Sequence, residues 1–242
     1  MNEFRFSKAI LSIIPKFKYK NEINHILQSF GYLFYKINAD YTKAIQNPYL
    51  QSLYNSPQGL LLTNFFAINS TSEIDYIASI YGSAPPSITT TSGHYNLTGC
   101  NIVDLLENKG ITWKAYLENY NCGACYTGDF CPSGTDLYTR THNPFISMTD
   151  INSNPARCAK LMDASQLDTD ISNNQVPQFA YYVPNQLDDG HDTSLNYAMN
   201  WFKSWFEVRR NNPSLTTNTL FVIVWDYGQQ QITFPSFFMV LQ

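Results

Sequence analysis

The chain has 242 residues, 44% hydrophobic and 14% charged, which is enough for one sizeable buried core in a single α/β domain and too apolar for a disordered chain. Its formal net charge of -4 has no block structure beyond a short basic cluster at Lys16, Lys18 and Lys20, which argues against nucleic acid as a partner. No apolar run approaches the roughly 18 residues of a membrane span, since residues 59–68 are broken by Thr63 and Asn64.

Residues 1–29 carry helical periodicity around Ile23, Ile26 and Leu27 and are expected to form a detached leader. Arg5 and Lys8 precede a short apolar run, but Pro15 and the lysines follow without a small-residue cleavage site, so the segment makes a poor signal peptide. A strand is expected over Leu33–Ile37, ending at Asn38, and a helix from Asp40 through Leu50 and Leu53. Leu60–Ile68 predicts a second buried strand, followed by a polar segment and a helix through Ile77 and Ile80 to Gly82. Ile102–Lys109 has helical spacing and stops at Gly110, a residue that accepts positive φ without steric cost. Strands are expected over Ile111–Tyr116, Phe179–Val183 and Leu220–Trp225, with an amphipathic helix over Asn196–Arg210 carrying Tyr197, Trp201, Phe202, Trp205 and Phe206.

Alternating strands and helices predict a mostly parallel central sheet with helices on both faces, in which ligands collect beyond the carboxyl ends of the strands. Asn38, Ser72 and Asp226 fall at such ends and together would offer a hydroxyl nucleophile beside oxygen ligands for a divalent metal. The plainer alternative is that each is a loop residue or helix cap, and spacing alone favours it. The five cysteines, Cys100, Cys122, Cys125, Cys131 and Cys158, leave one over after pairing, and with the sequons at Asn69 and Asn96 they fit an extracellular protein. Cys122-Gly-Ala-Cys125 admits a redox pair or, with Cys131 and His142, a zinc knuckle. The glycine-rich surroundings, however, predict a long loop rather than a strand opening into a helix.

An ordered series of blocks carries a more specific signal. These are Asn-Ala-Asp-Tyr (Asn38–Tyr41), Leu62–Ala67, Asn101–Gly110, Trp113–Tyr120, His-Asn-Pro-Phe-Ile-Ser (His142–Ser147), Asn154–Cys158, Pro177–Asn185 and Asp-Gly-His-Asp-Thr-Ser (Asp189–Ser194). Together they resemble the phosphoesterase family that includes fungal secreted acid phosphatases. The resemblance implies an alkaline phosphatase-like fold and a domain over residues 30–228, incomplete at its carboxyl end, with a divergent tail at 229–242. It also implies phosphate monoester hydrolysis through a hydroxyl nucleophile and a divalent metal, and a secreted protein.

Carried over position by position, the resemblance implies Ser72 as nucleophile, His142 and His191 beside the phosphate, Asn38, Asp226 and Ser72 as metal ligands, and a Cys125–Cys158 disulfide. Cys122 and Cys131 would be extra, available for a second bridge, and Cys100 free. The family's Glu-Asn pair reads Ile37-Asn38, its His-Pro-Ser-Glu-Pro-Asn-Tyr reads Ser70-Thr71-Ser72-Glu73-Ile74-Asp75-Tyr76, and its last acidic pair reads Asp226-Tyr227. Ile37, Ser70 and Tyr227 therefore stand where functional side chains are expected, which predicts a weak metal site. They favour a second reading, a non-catalytic relative acting as a binding or scaffold protein or the product of a decayed gene. A thiol oxidoreductase is a distant third.

Overall fold

The computed structural model describes residues 30–34, 45–62, 69, 71–85, 88, 93–131, 135–217, 219–224 and 236–241. The expected leader at 1–29, Asn38, the outer halves of the first two predicted strands, Ser70, Asp226, Tyr227 and Gln229–Gln231 lie outside them.

The described elements run β1 (Phe30–Phe34), α1 (Pro48–Tyr54), β2 (Gly59–Leu62), α2 (Ser72–Tyr81), α3 (Ile102–Asn108), β3 (Trp113–Leu117), β4 (Phe130–Cys131) and β5 (Tyr138–Thr139). Two 3-10 turns, Arg140–His142 and Pro144–Ser147, lead into α4 (Thr149–Asn152), α5 (Pro155–Cys158), β6 (Leu161–Asp163) and α6 (Gln166–Ser172). β7 (Phe179–Val183), α7 (Leu195–Arg209), α8 (Pro213–Thr216), β8 (Thr219–Val224) and β9 (Ser236–Leu241) follow.

Seven strands form one sheet in the order β2-β9-β8-β1-β7-β3-β6, and β4 pairs with β5 in a small separate ribbon. From β8 to β6 every pairing is parallel, while β9 runs antiparallel between β2 and β8. A strand from the divergent tail is thus inserted into the sheet, where it links β2 to the parallel part. β1 begins at Phe30 rather than Leu33: Gly31 interrupts the apolar run in the sequence, but a central parallel strand is held by ladders to β7 and β8 on either side.

Two apolar layers cover the sheet, and strand periodicity assigns residues to them. Ala115, Leu117, Tyr181, Val183, Leu220, Val222 and Val224 point into one layer with Ile77 and Ile80 of α2, Val103 and Leu106 of α3, Phe145 and Ile151. Their neighbours Tyr116, Ala180, Tyr182, Phe221 and Ile223 point into the other, with Leu50 and Leu53 of α1, Leu167 of α6, Leu215 of α8, and Phe202, Trp205 and Phe206 of α7. Alternation along each strand sends successive side chains to opposite faces, so a central strand buried on both must be apolar throughout. The expectation of a mostly parallel sheet between helices is met. α2 ends at Gly82, whose φ of 88° supplies the left-handed residue that stops the helix.

Candidate active site

The parallel strands end at one edge of the sheet, and β7 runs from there into the loop that carries Asp189 and His191. β1 and β8 are paired with Phe34 opposite Val224, so the chain departs from both strands side by side. Asn38 follows the first of these ends by four residues and Asp226 the second by two.

Ser72 is the first residue of α2, which buries Glu73, Ile74, Tyr76, Ile77, Ala78 and Ile80. The start of this helix is fixed by its own loop. The Asn69 amide donates to Asp75 Oδ1 at 3.0 Å, the Thr71 amide to Asn69 Oδ1 at 3.1 Å, and the Ile74 and Asp75 amides to the Thr71 carbonyl. The first-turn amides and the aligned peptide dipoles at such a position favour a bound anion. Glu73, next in the chain, is buried, and burial pushes its carboxyl up to about 7 against the opposing pull of the Gly93 amide and Arg140.

One helical turn beyond Ser72, the Tyr76 ring stacks on His142, with 4.9 Å between centroids and 18° between planes. Residues four apart share a helix face, so Ser72 and Tyr76 lie on the side of α2 that meets the turn carrying His142. His142 is buried and its Nδ1 lies 3.2 Å from Asp189 Oδ2, an electrostatic contact out of line for a well-formed hydrogen bond. The other oxygen of Asp189 accepts the His191 amide at 2.7 Å, and the two imidazoles stand edge-on with centroids 6.1 Å apart. Asp189 therefore joins the two histidines while itself completely buried. His191 is exposed, and its Nδ1 lies 2.7 Å from Asp192 Oδ1.

Asp189, Tyr76 and Glu73 carry no role in the sequence reading although all three sit within the quoted blocks. For Asp189 the usable signal is Asp-Gly-His: Gly190, at φ 84°, lets the chain turn back so that the His191 amide reaches the preceding carboxylate. A Cβ at Gly190 would also meet Ala198 Cβ at 3.1 Å.

The expected metal is poorly matched by the side chains available. Hard dications take several oxygen ligands and draw most of their affinity from carboxylates. Of Asn38, Asp226 and Ser72 only one is a carboxylate, and Ile37 and Tyr227 add none. Among the described residues no group of three or more His, Cys, Asp or Glu side chains is arranged to hold a metal ion.

The cysteines form two disulfides, Cys125–Cys158 with 5.0 Å between Cα atoms and Cys122–Cys131 with 5.8 Å, and Cys100 is free and exposed. The bridges remove both the redox pair and the zinc knuckle. They clamp the loop after β3 to α5 and to β4, the first strand of the ribbon that leads into the turn carrying His142. No described helix is long and apolar enough to cross a membrane.

A sequence profile of the Phosphoesterase family matches residues 41–229. A probable acid phosphatase of Kluyveromyces lactis is 33% identical over 196 residues, covering 79% of this chain and 46% of that protein. An acid phosphatase of Aspergillus fumigatus is 29% identical over 202 residues, covering 78% and 42%, and a phosphate-repressible acid phosphatase of Penicillium chrysogenum is 29% identical over 192 residues, covering 79% and 46%. The chain thus spans under half the length of these relatives. Among solved structures, the C-terminal periplasmic domain of phosphoethanolamine transferase EptC from Campylobacter jejuni aligns with a TM-score of 0.44 and 9% identity, over 87% of this chain and 78% of that one. With the family profile covering most of its length and the Kluyveromyces relative matched across four-fifths of it, the chain belongs to the Phosphoesterase family.

Proposed function

We propose that this chain is an acid phosphatase-like hydrolase of phosphate monoesters with low turnover, in which Ser72 is the nucleophile and His142 and His191 hold the phosphoryl group. The observation that carries the reading is the Asp189 junction. One buried carboxylate contacts both histidines, and the inner ring packs on the helix that begins at Ser72. In this scheme the phosphoryl oxygens lie between the amides at the start of α2 and the two imidazoles, which donate hydrogen bonds to charge that grows as the Ser72 oxygen approaches phosphorus. Asp189 faces the His142 ring and holds the His191 backbone, Asp192 stands at the His191 ring, and a protonated imidazole donates the proton that the departing alcohol needs. A divalent metal at Asn38 and Asp226, where the family places one, would activate the hydroxyl. The donor set there is short of carboxylates for such a cation.

The family relationship supports the reading, as do the acid phosphatases among the relatives. The two disulfides support an oxidising compartment and hence secretion. Replacement of family carboxylates by Ile37 and Tyr227 favours a second reading, a phosphate-binding relative without catalysis. Hydrolysis of para-nitrophenyl phosphate by the purified chain, with metal content measured alongside, separates the two. Slow hydrolysis that disappears in Ser72→Ala supports the enzyme. Phosphate binding with hydrolysis indifferent to Ser72 supports the binding protein and removes the nucleophile assignment.

A further inference from the structure

Glu73 is a buried carboxyl next to the proposed nucleophile, and the scheme above leaves it unused. It is the second residue of α2, directly after Ser72, and its Oε2 accepts the Gly93 amide at 3.1 Å. Residues 93–95 are held from the other side by Arg140. Its Nη2 donates to the Tyr95 carbonyl at 3.1 Å and its Nη1 to the Thr127 carbonyl. The Arg140 amide donates to the Asp129 carbonyl at 2.8 Å, and the Arg140 carbonyl accepts the Asn143 amide at 2.9 Å, closing the 3-10 turn that ends at His142. Between these ties, His94 Nε2 lies 2.7 Å from Asp129 Oδ1.

The two arms of the candidate site are thus connected by two routes. One is the stack of Tyr76 on His142. The other runs from Ser72 through Glu73, residues 93–95 and Arg140 to His142, by way of side chains only 2% and 3% exposed. A ring stack permits sliding, because apolar attraction is not directional, whereas hydrogen bonds to a carboxylate and from a planar guanidinium set direction as well as distance. Burying such groups is costly unless they are hydrogen-bonded, and here both hold the main chain of one short segment.

We propose that Glu73 and Arg140 are positioning residues that clamp residues 93–95 from opposite sides and so set Ser72, at the start of α2, against His142 in its turn. The role rests on reading Ser72, His142 and His191 as a phosphate site. Holding a tetrahedral anion tolerates small shifts of its donors. In-line approach of a hydroxyl to phosphorus does not, since a misplacement of about 1 Å costs about a hundredfold.

Two anions separate these demands on the full chain, and neither requires turnover. Inorganic phosphate reads ground-state binding. Orthovanadate reads alignment, because the Ser72 oxygen bonds to vanadium as a fifth ligand, the hydroxyl proton moves to a vanadate oxygen, and the oxidation state is unchanged. The unmodified chain should bind vanadate about tenfold or more tighter than phosphate. Glu73→Leu, which removes the acceptor, should lose about tenfold or more in vanadate affinity while phosphate affinity changes less than about threefold. Glu73→Gln keeps an oxygen for the Gly93 amide and should restore vanadate affinity to that of the unmodified chain. Arg140→Lys keeps the charge without the fork that reaches two carbonyls; it should show the same selective loss, and it carries the test where Glu73→Leu folds poorly.

Unchanged vanadate affinity in Glu73→Leu and Arg140→Lys, or an equal weakening of both anions, overturns the positioning role. A loss in Glu73→Gln as large as in Glu73→Leu does so too, since charge rather than the hydrogen bond would then be responsible. Hydrogen exchange of the Gly93 amide, compared with amides of β8, reads the clamp itself: it should quicken about tenfold or more in Glu73→Leu and stay level in Glu73→Gln. Level exchange in both overturns the clamp. If the unmodified chain binds neither anion, or Ser72→Ala leaves vanadate affinity unchanged, the phosphate-site reading fails and the role falls with it, whatever the Gly93 amide shows.

Discussion

The guanidinium of Arg157, on α5 beside the disulfide-bonded Cys158, gathers carboxylates from two other helices. It lies 2.8 Å from Asp104 and 2.9 Å from Glu107 of α3, and it also pairs with Asp150 of α4. Glu107 is held in addition by Lys160 at 2.8 Å and by the Trp113 indole at 3.0 Å. Burial alone would raise its carboxyl, but the hydrogen bonds from Lys160, Trp113 and Arg157 outweigh burial and hold it down at about 2. The stabilisation from this group is present above its ordinary value of 4.5 and is lost as pH falls through about 2, which delays acid unfolding across that window. Arg157→Met keeps the aliphatic stem and removes the charge, leaving three carboxylates close together. Its acid-unfolding midpoint, followed by Trp fluorescence, should move up by about one pH unit or less, the group being partly open to solvent. An unchanged midpoint would mean that the cluster contributes nothing to acid tolerance.

α7 is the element on which the second apolar layer depends, because it covers β7 and β8 with a row of rings. Phe202 is 0% exposed, stacks on Phe206 at 5.4 Å between centroids and meets Tyr49 of α1 edge-on at 6.0 Å. Phe202→Ala should cost about 3–5 kcal/mol in denaturant unfolding, whereas Val208→Ser on the same helix, at a position 75% exposed, should change stability by about 0.5 kcal/mol or less. Comparable losses at the two positions would show that the helix does not use the packed face described. This helix and β7 are legible in the sequence because each is long enough to display its period: five apolar residues in a row for a strand buried on both faces, and rings at helical spacing for α7. β6, with three residues, and the two-residue strands β4 and β5 carry no period and are absent from the sequence reading for that reason. α6 shows only Leu167 and Ile171 as an apolar pair one turn apart. In the candidate site, His142 and His191 were found through block resemblance, since single histidines in polar loops have no periodic signature. The contact of Asp189 with His142 joins loops distant in sequence, which spacing does not encode.

At the scale of the whole molecule, the chain belongs to the Phosphoesterase family, and the reading proposed for its site leaves few carboxylates for a cation. The two central strands β1 and β8 are paired in register, with Phe34 opposite Val224. Ser72 remains at the start of its helix and the histidine pair remains joined through Asp189. In the proposed reading a serine hydroxyl alone is a weak nucleophile, and a cation held by one carboxylate and neutral oxygens would be bound too loosely to activate it. Restoring charge at both positions tests whether the frame is still competent. Ile37→Glu combined with Tyr227→Asp should raise divalent metal retained after dialysis, measured by elemental analysis, and should increase para-nitrophenyl phosphate hydrolysis by about tenfold or more. The gain should vanish when Ser72→Ala is added and should be reversed by a chelator. Thermal unfolding of the double variant, compared with the unmodified chain, verifies that the new carboxylates leave the fold intact. Metal uptake without any gain in hydrolysis would place the defect outside the ligand set and discard Ser72 as nucleophile. Efficient Ser72-dependent hydrolysis by the unmodified chain would instead show that Asn38 and Asp226 suffice, and that the lost carboxylates were dispensable to this scaffold.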